Sequence, residues 1–164
     1  MEIKVRGYEA KDLPALMKIW NAVVKEANSF PQDKPFSLEE AETFFASQSF
    51  TGVAEENGQI LGLYILHPNN VGRCGHIANA SFGVKLGLRG KGVGEKMVRH
   101  CLQKCGELGF RGLQFNAVVA TNAAAIHLYE KLRFRRIGTI PGGYRLRDGH
   151  CADIHIYFHP TERQ

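Results

Sequence analysis

A glycine-rich turn near the middle of the chain has the residue types that bind phosphate. An apolar segment, Ile77–Val84, leads into the turn, and apolar residues at helical spacing follow it over residues 95–108. The turn itself reads Arg89-Gly90-Lys91-Gly92-Val93-Gly94. Glycine allows a sharp turn and a close approach of a ligand to the main chain. Because a helix that begins here directs unpaired N–H groups and its positive dipole end at the turn, we predict a phosphate or pyrophosphate site.

Two common nucleotide-binding motifs do not fit this turn. It has no Gly-Lys-Ser/Thr, which excludes a P-loop. A dinucleotide-binding fold places its glycine turn after the first strand and an acidic residue about 20 residues later. Here the turn follows several predicted strands in mid-chain. The position of the turn therefore favours a different class of fold.

Length and composition predict one globular domain over residues 1–164. The chain is 44% hydrophobic and 23% charged, which is typical of globular proteins. No apolar run approaches the roughly 20 residues that cross a membrane. The first six residues alternate charged and apolar types and lack the apolar centre of a signal peptide. We therefore expect a cytoplasmic protein that does not associate with membranes.

The four cysteines and the net charge argue against a metal ion and against nucleic acid as ligands. Cys101 and Cys105 lie four residues apart among apolar neighbours of the predicted helix, so we expect them to be small core side chains. Only Cys74 with His76, and His150 with Cys151, come near a metal-ligand spacing, and no metal is predicted. The net charge is +5, with lysine and arginine spread along the chain. That distribution favours anionic ligands over nucleic acid.

The residue patterns predict a mixed α/β domain with the order β-α-α-β-β-β-α-β-α-β-β. The predicted strands cover 3–7, 50–55, 59–67, 77–84, 112–119, 134–140 and 153–158, and the helices cover 12–28, a segment starting at 37, 95–108 and 123–132. Asn57-Gly58 is typical of a hairpin turn, and Pro141-Gly142-Gly143 predicts another turn. Leu113, Phe115, Ala117 and Val119 are expected on one side of their strand. Residues 29–35, with two prolines and a phenylalanine, predict a loop that borders a pocket.

Two motifs, with a helix and a strand between them, resemble the GNAT superfamily of acetyl-CoA-dependent N-acetyltransferases. The first is Phe82-x-Val84-x-x-x-x-Arg89-x-x-Gly92-x-Gly94, and the second extends from Asn122 through Leu128-Tyr129-Glu130-Lys131-Leu132 to Ile137-Gly138. The resemblance implies a GNAT-like mixed central sheet that is flanked by helices and splayed between the fourth and fifth strands. It also implies an acyltransferase enzyme with acetyl-CoA as co-substrate.

The resemblance further implies roles for individual residues. The main-chain amides of residues 89–94 would hold the pyrophosphate of coenzyme A, and Val84 would bind the pantetheine arm through its strand edge. Asn122 would contact that arm near the reacting end. Tyr129 would protonate the departing thiolate, and its reference pKa of about 10 suits such a donor. A covalent acetyl-cysteine is not expected, because no cysteine is predicted beside this site.

A narrower resemblance concerns the acetyl acceptor. The segments 74–82, 115–122 and 137–142 are similar to the branch that contains the fungal acetyltransferases of proline-like imino acids. That branch uses asparagines on the two splayed strands to hold the carboxylate of a small substrate, and Asn79 and Asn116 match those positions. Asn122 matches its catalytic asparagine. Because the N-terminal half shows no such match, the expectation is a small amine such as an amino or imino acid.

Several alternatives stay open from the sequence. Ile77–Val84 contains no acid to serve as general base, so His76 would relay a proton, or the amine would lose its proton before binding. An acetyltransferase of protein N-termini or lysines is the alternative enzyme, and a non-catalytic acyl-CoA sensor is the alternative binding protein. A homodimer would form through an exposed final strand.

Overall fold

The computed structural model describes residues 2–161, whose strands form one seven-stranded sheet in the order β1-β2-β3-β4-β5-β7-β6. The strands are β1 (Lys4–Gly7), β2 (Phe50–Glu56), β3 (Gln59–Pro68), β4 (Ile77–Val84), β5 (Gly112–Val119), β6 (Arg135–Arg145) and β7 (Cys151–Pro160). The helices are α1 (Leu13–Glu26), α2 (Leu38–Ala46), α3 (Val93–Glu107) and α4 (Ala123–Lys131). The element order agrees with the one predicted from sequence.

The sheet is splayed between its fourth and fifth strands, as expected. All neighbouring strands are antiparallel except β4 and β5, which are parallel. Their pairing stops after Asn79 opposite Gln114, so the later parts of both strands have no partner across this boundary. Unpaired main-chain groups at such an edge are available to a ligand. This wedge is the feature of the fold that positions the site.

Helices cover both faces of the sheet, each over its own hydrophobic core. On one face, α1 and α2 bury Leu16, Trp20 and Phe45 against Leu63 of β3. On the other face, α3 and α4 cover a second core that contains Met97, Leu113 and Tyr157. Cys101 and Cys105 are fully buried in this second core, which confirms the prediction for both.

Local signals placed several element ends correctly. Asn57 and Gly58 have φ of 52° and 76° in the β2–β3 hairpin, as a tight hairpin turn requires. Ser37 caps α2, and Glu40 completes the reciprocal capping box. Helix α3 begins at Val93, two residues before the predicted start, because Gly92 takes the left-handed conformation and acts as its N-cap.

The predicted turn at residues 141–143 is wrong. Strand β6 continues through these residues with an irregularity in its pairing between Ile140 and Tyr144. The bulge directs the Tyr144 side chain inward, where its buried hydroxyl donates to the main-chain oxygen of Phe30 at 2.7 Å. The chain instead reverses after residue 145, where Gly149 has a φ of 91°. Strand β7 therefore begins at Cys151, two residues earlier than predicted.

Two further expectations about strands are also wrong. A register shift in β5 between Phe115 and Val118 places Val118, and not Ala117, in the core with Leu113. The final strand is not exposed at an edge, because β7 lies between β5 and β6. The exposed edge on that side of the sheet is β6.

Among residues 2–161, no helix has the length and apolar character of a membrane span.

Candidate active site

A cavity of about 620 Å³ occupies the wedge between β4 and β5. The turn before α3, one side of α4 and the segment after α1 complete its walls. The predicted site residues that line it are Asn79, Val84, Arg89, Gly90, Gly92, Val93, Gly94, Asn116, Asn122 and Tyr129. Lys91 and His76 are exposed and do not line it. The fold thus brings nearly all predicted site residues to one cavity.

The turn before α3 has the conformation of an anion-binding loop. Gly90 and Gly92 have φ of 81° and 83°, a region that side chains rarely adopt. The first turn of a helix leaves its N–H groups without main-chain partners, and Val93 and Gly94 of that turn line the cavity. A Cβ at Gly94 would lie 3.4 Å from Leu128 of α4, so a larger residue would crowd the contact between the two helices. The turn can therefore accept the phosphates of a ligand.

The side chain of Arg89 is engaged by the C-terminal end of α1. Its guanidinium lies 2.8 Å from the carboxylate of Glu26, the last residue of that helix. A carboxylate at a helix C-terminus opposes the helix dipole, so a cation is favourable there. The ion pair joins the glycine turn to α1, so the main-chain amides of the turn are the groups there that could bind an anion.

A second ion pair closes the opposite side of the turn. Glu95 in the first turn of α3 lies 2.7 Å from Lys131 at the end of α4. The hydrogen bond from Lys131 lowers the pKa of the Glu95 carboxyl. A carboxylate held in this way is a weak proton acceptor. Glu95 therefore connects the two helices and is poorly suited to act as a general base.

Tyr129 of α4 presents a free hydroxyl in the cavity. Its ring packs against Phe115 of β5 at a centroid distance of 4.5 Å and against Phe134 at 5.6 Å. Within residues 2–161 the hydroxyl has no hydrogen-bond partner. Loss of hydration raises the pKa of Tyr129 above its ordinary value. The phenol is therefore protonated at neutral pH and is available as a proton donor.

Asn122 is both a helix cap and a cavity-lining side chain. Its Oδ1 accepts a hydrogen bond from the main-chain N–H of Ala125 at 3.2 Å and so caps α4. Because only an oxygen can accept from that N–H, the orientation of the amide is fixed. The Nδ2 donors remain available to a ligand. The cap therefore accounts for this asparagine locally, and the other end of the same amide could contact a ligand in the cavity.

Asn79 connects the two strands at the point where their pairing ends. Its Nδ2 donates to the main-chain oxygen of Gln114 at 2.8 Å. The carbonyl oxygen of Gln114 can only accept a hydrogen bond, so the end of the Asn79 amide that faces it is Nδ2 and the opposite end is Oδ1. In the described part of the chain that Oδ1 has no hydrogen-bond partner. It is therefore an available acceptor in the wall of the wedge.

Asn116 belongs to a chain of amides on β5. Its Oδ1 accepts from Gln114 Nε2 at 2.8 Å, and its Nδ2 donates to Asn69 Oδ1 at 2.6 Å. One N–H of Asn116 is left for a ligand. Asn69 follows β3, and sequence reasoning missed it because nothing local to a polar loop indicates a partner 47 residues away.

The segment after α1 forms the remaining wall. Ser29, Phe30 and Pro31 line the cavity, which confirms that the proline-containing loop borders a pocket. Sequence reasoning missed Asn28 and the α4 residue His127, which also line it. Neither had a motif or spacing that could have identified it.

The chemistry open to this cavity is limited by its lack of a free carboxylate. Among the lining residues within 2–161, the single carboxylate is Glu95, which is ion-paired. The predicted proton relay through His76 has no support, since that side chain lies outside the cavity. The described residues 2–161 also contain no cluster of three or more potential metal ligands. The lining side chains can thus bind an anion, donate a proton and hold a neutral polar group.

Comparison with known proteins identifies relatives of this architecture. The sequence model of the "Acetyltransferase (GNAT) family" matches residues 15–134. N-acetyltransferase aca1 of Schizosaccharomyces pombe is 32% identical over 164 residues, and the match covers 88% of this chain and 78% of that protein.

Solved structures agree with the family match. A GCN5-related N-acetyltransferase from Kribbella flavida superposes with a TM-score of 0.90 at 33% identity, covering 96% of this chain and 97% of that one. A GNAT superfamily phosphinothricin acetyltransferase from Sinorhizobium meliloti, in complex with acetyl-CoA, has a TM-score of 0.90 at 21% identity. That match covers 98% of this chain and 89% of the other, and it supports the fold alone.

Proposed function

This chain belongs to the acetyltransferase (GNAT) family, and we propose that it transfers acetyl from acetyl-CoA to the amine of a small molecule, such as an amino or imino acid. Acetyl-CoA-dependent acetyl transfer is the activity of the family. The acceptor class and the roles of individual residues are the proposal. One domain spanning residues 1–164 would carry out the reaction in the cytoplasm, in keeping with four cysteines that are all free thiols.

The cavity fits acetyl-CoA at its phosphate end. The glycine turn has two left-handed glycines with no atom within 4 Å of the Cβ positions of Gly90 and Gly92. The main-chain amides of residues 89–94 would hold the pyrophosphate at the N-terminus of α3. The unpaired edge of β4 near Val84 would bind the pantetheine arm, and Asn122 Nδ2 would contact it. The thioester supplies an activated acetyl group.

The acceptor side of the cavity favours an uncharged amine that is adjacent to an acid group. Asn79 Oδ1 would accept a hydrogen bond from the amine, and the remaining N–H of Asn116 would donate to a carboxylate. Because no free carboxylate lines the cavity, the amine would lose its proton before it binds. Tyr129 would donate the proton of its hydroxyl to the departing sulfur. A main-chain N–H of the β4 edge near Val84 would polarise the carbonyl oxygen.

A single observation supports the choice of a small acceptor. Apart from the ion-paired Arg89, Glu95 and Lys131, the polar side chains that line the cavity include no acid: Asn28, Ser29, Asn79, Ser81, Asn116, Asn122, His127 and Tyr129. A protein N-terminus or a lysine-rich peptide is cationic and would require acidic side chains in an open groove.

A panel of amines tests the proposal through release of CoA. Ordinary amino acids, proline analogues and small peptides would be compared at one acetyl-CoA concentration, with acetylation confirmed by mass spectrometry. We expect turnover with at least one free amino or imino acid and none with peptides. A mass shift on peptides alone would support the protein acetyltransferase. Acetyl-CoA binding without turnover on any amine would support the acyl-CoA sensor.

A homodimer is proposed through β6, the exposed edge of the sheet. Ile137 and Ile140 of this strand are 58% and 47% exposed. An apolar strand edge pairs readily with another strand, and a second copy would satisfy it. Light scattering of the wild type and of Ile137→Lys tests this association, and a wild-type monomer at micromolar concentration would refute it.

A further inference from the structure

We propose that a second cavity, between the end of α1 and the β6–β7 turn, binds a small organic acid. It has a volume of about 790 Å³, within the range of small-molecule sites. Residues from α1, from the segment after α1 and from the region around residues 143–147 form its walls. None of the residues assigned to acetyl transfer lines it. The cavity is therefore distinct from the wedge between β4 and β5.

The charges around the cavity favour an anion. Lys25, Arg145 and Arg147 line it, whereas Asp33 is the one acidic residue among the lining residues of the described chain. Within residues 2–161, none of these three cations forms a salt bridge. Arg147 donates to the main-chain oxygen of Lys25, which joins the β6–β7 turn to the end of α1. Lys25 and Arg145 remain free to bind a carboxylate or phosphate group.

Part of the cavity lining is apolar, which favours a ligand that has an apolar body as well as an acid group. Phe30 and Tyr144 are buried, and Pro31, Pro35 and Leu146 are further apolar residues in the lining. An inorganic anion would leave this surface in contact with water. A carboxylate attached to an apolar or aromatic body would cover it and place its charge beside Lys25 and Arg145.

The cavity shares a wall with the acetyl-transfer cavity. Phe30 and Pro31 line both, and Phe30 is fixed by the Tyr144 hydroxyl at 2.7 Å and by the ring of Trp20 at a centroid distance of 4.3 Å. A ligand in the second cavity would therefore contact the segment that borders the acceptor. The ligand would be a separate effector, since the carboxylate of the acceptor is assigned to Asn116 in the wedge.

Binding of benzoate to the CoA-saturated protein tests the site directly. Excess CoA occupies the glycine turn before α3, so binding of benzoate at that turn does not contribute to the observed shifts. In an NMR titration we expect saturable shifts at Lys25, Arg145 and Leu146 with benzoate and none with benzamide, its uncharged analogue. Arg145→Gln and Lys25→Gln should each weaken benzoate about tenfold, the effect of one charged hydrogen bond. Arg135→Gln, an exposed arginine of the same strand that lines neither cavity, should have no effect.

The outcomes separate this site from the acetyltransferase proposal. CoA binding is measured first, and benzoate binding needs no acceptor or turnover. Shifts that are absent, equal for benzamide, or unchanged in both Arg145→Gln and Lys25→Gln would refute the site. Both variants change exposed residues, and thermal melting checks their folding. Competition between benzoate and an acceptor in initial-rate kinetics would place benzoate in the wedge and count against a separate site. Non-competitive kinetics would support a separate effector site.

Discussion

The side-chain amide of Asn79 donates to the main-chain oxygen of Gln114 at 2.8 Å, across the last paired position of β4 and β5. The bond marks the base of the wedge and fixes which end of the amide is free. An amide nitrogen must face a carbonyl, so the free end is the acceptor Oδ1. In the described structure Asn79 thus joins β4 to β5 through its Nδ2, and its Oδ1 is left as a free acceptor.

Asn79→Ala should raise the KM of the acceptor amine about fivefold and leave the KM of acetyl-CoA unchanged. The reason is the loss of one hydrogen bond to the amine, about 1 kcal/mol. Steady-state kinetics with each substrate varied in turn measure both constants. Asn70→Ala is the control, because it removes an exposed amide that accepts from the main-chain N–H of Val71 and lines neither cavity. Equal increases in both constants would mean that Asn79 only maintains the wedge.

The dependence of kcat/KM on pH should follow the acceptor and not the enzyme. No free carboxylate lines the described cavity, so the reactive species is the deprotonated amine, whose fraction rises with pH. Two acceptors whose amines differ in pKa should give profiles displaced by that difference. His76→Ala should leave both profiles unchanged. A common inflection for both acceptors would instead reveal an enzyme base.

Tyr129→Phe should lower kcat about 100-fold with little change in the KM of acetyl-CoA, since a positioned general acid contributes at least that much. Because burial raises the pKa of Tyr129 above about 10, the wild-type rate should show no alkaline decline between pH 7 and 9. Tyr8→Phe is the matched control, as Tyr8 is half-buried and lines neither cavity. Full activity of Tyr129→Phe would exclude the tyrosine as proton donor.

Two substitutions separate the roles of Asn122. Asn122→Ser keeps an oxygen to cap α4 but removes the amide donors, so kcat should fall while the melting temperature is retained. Asn122→Ala should in addition lose about 1 kcal/mol of stability, or roughly 2–4 °C. Calorimetry and single-turnover rates measure the two effects. Wild-type turnover by Asn122→Ser would leave the residue with only its structural role.

The Glu26–Arg89 ion pair should act as one unit in acetyl-CoA binding. Glu26→Gln, Arg89→Gln and the double variant should each raise the KM of acetyl-CoA about two- to fivefold, the range for a partly exposed pair. Lys11→Gln, which breaks an exposed pair with Glu9, is the control. A lower KM in Glu26→Gln would show instead that the freed Arg89 guanidinium binds phosphate.

Features with local causes could be predicted from the sequence. The glycine turn followed by a helix, the Asn57-Gly58 hairpin and the capping box at Ser37 each depend on residues a few positions apart. The mixed sheet and its splay were expected through the family resemblance. Turn chemistry alone was misleading at residues 141–143, where pairing with β7 and the contact of Tyr144 with Phe30 produced a bulge inside a strand.

The sequence by itself determined the element order, the glycine turn before α3 and the residue types that gather in the wedge. Only the tertiary structure decided how those residues are used. Asn79 is oriented by a main-chain oxygen 35 residues away, and Arg89 is engaged by Glu26 of α1. The position of β6 at the sheet edge likewise depends on pairing between distant strands. Such contacts depend on the relative placement of elements in space, which periodicity and local turn chemistry do not specify.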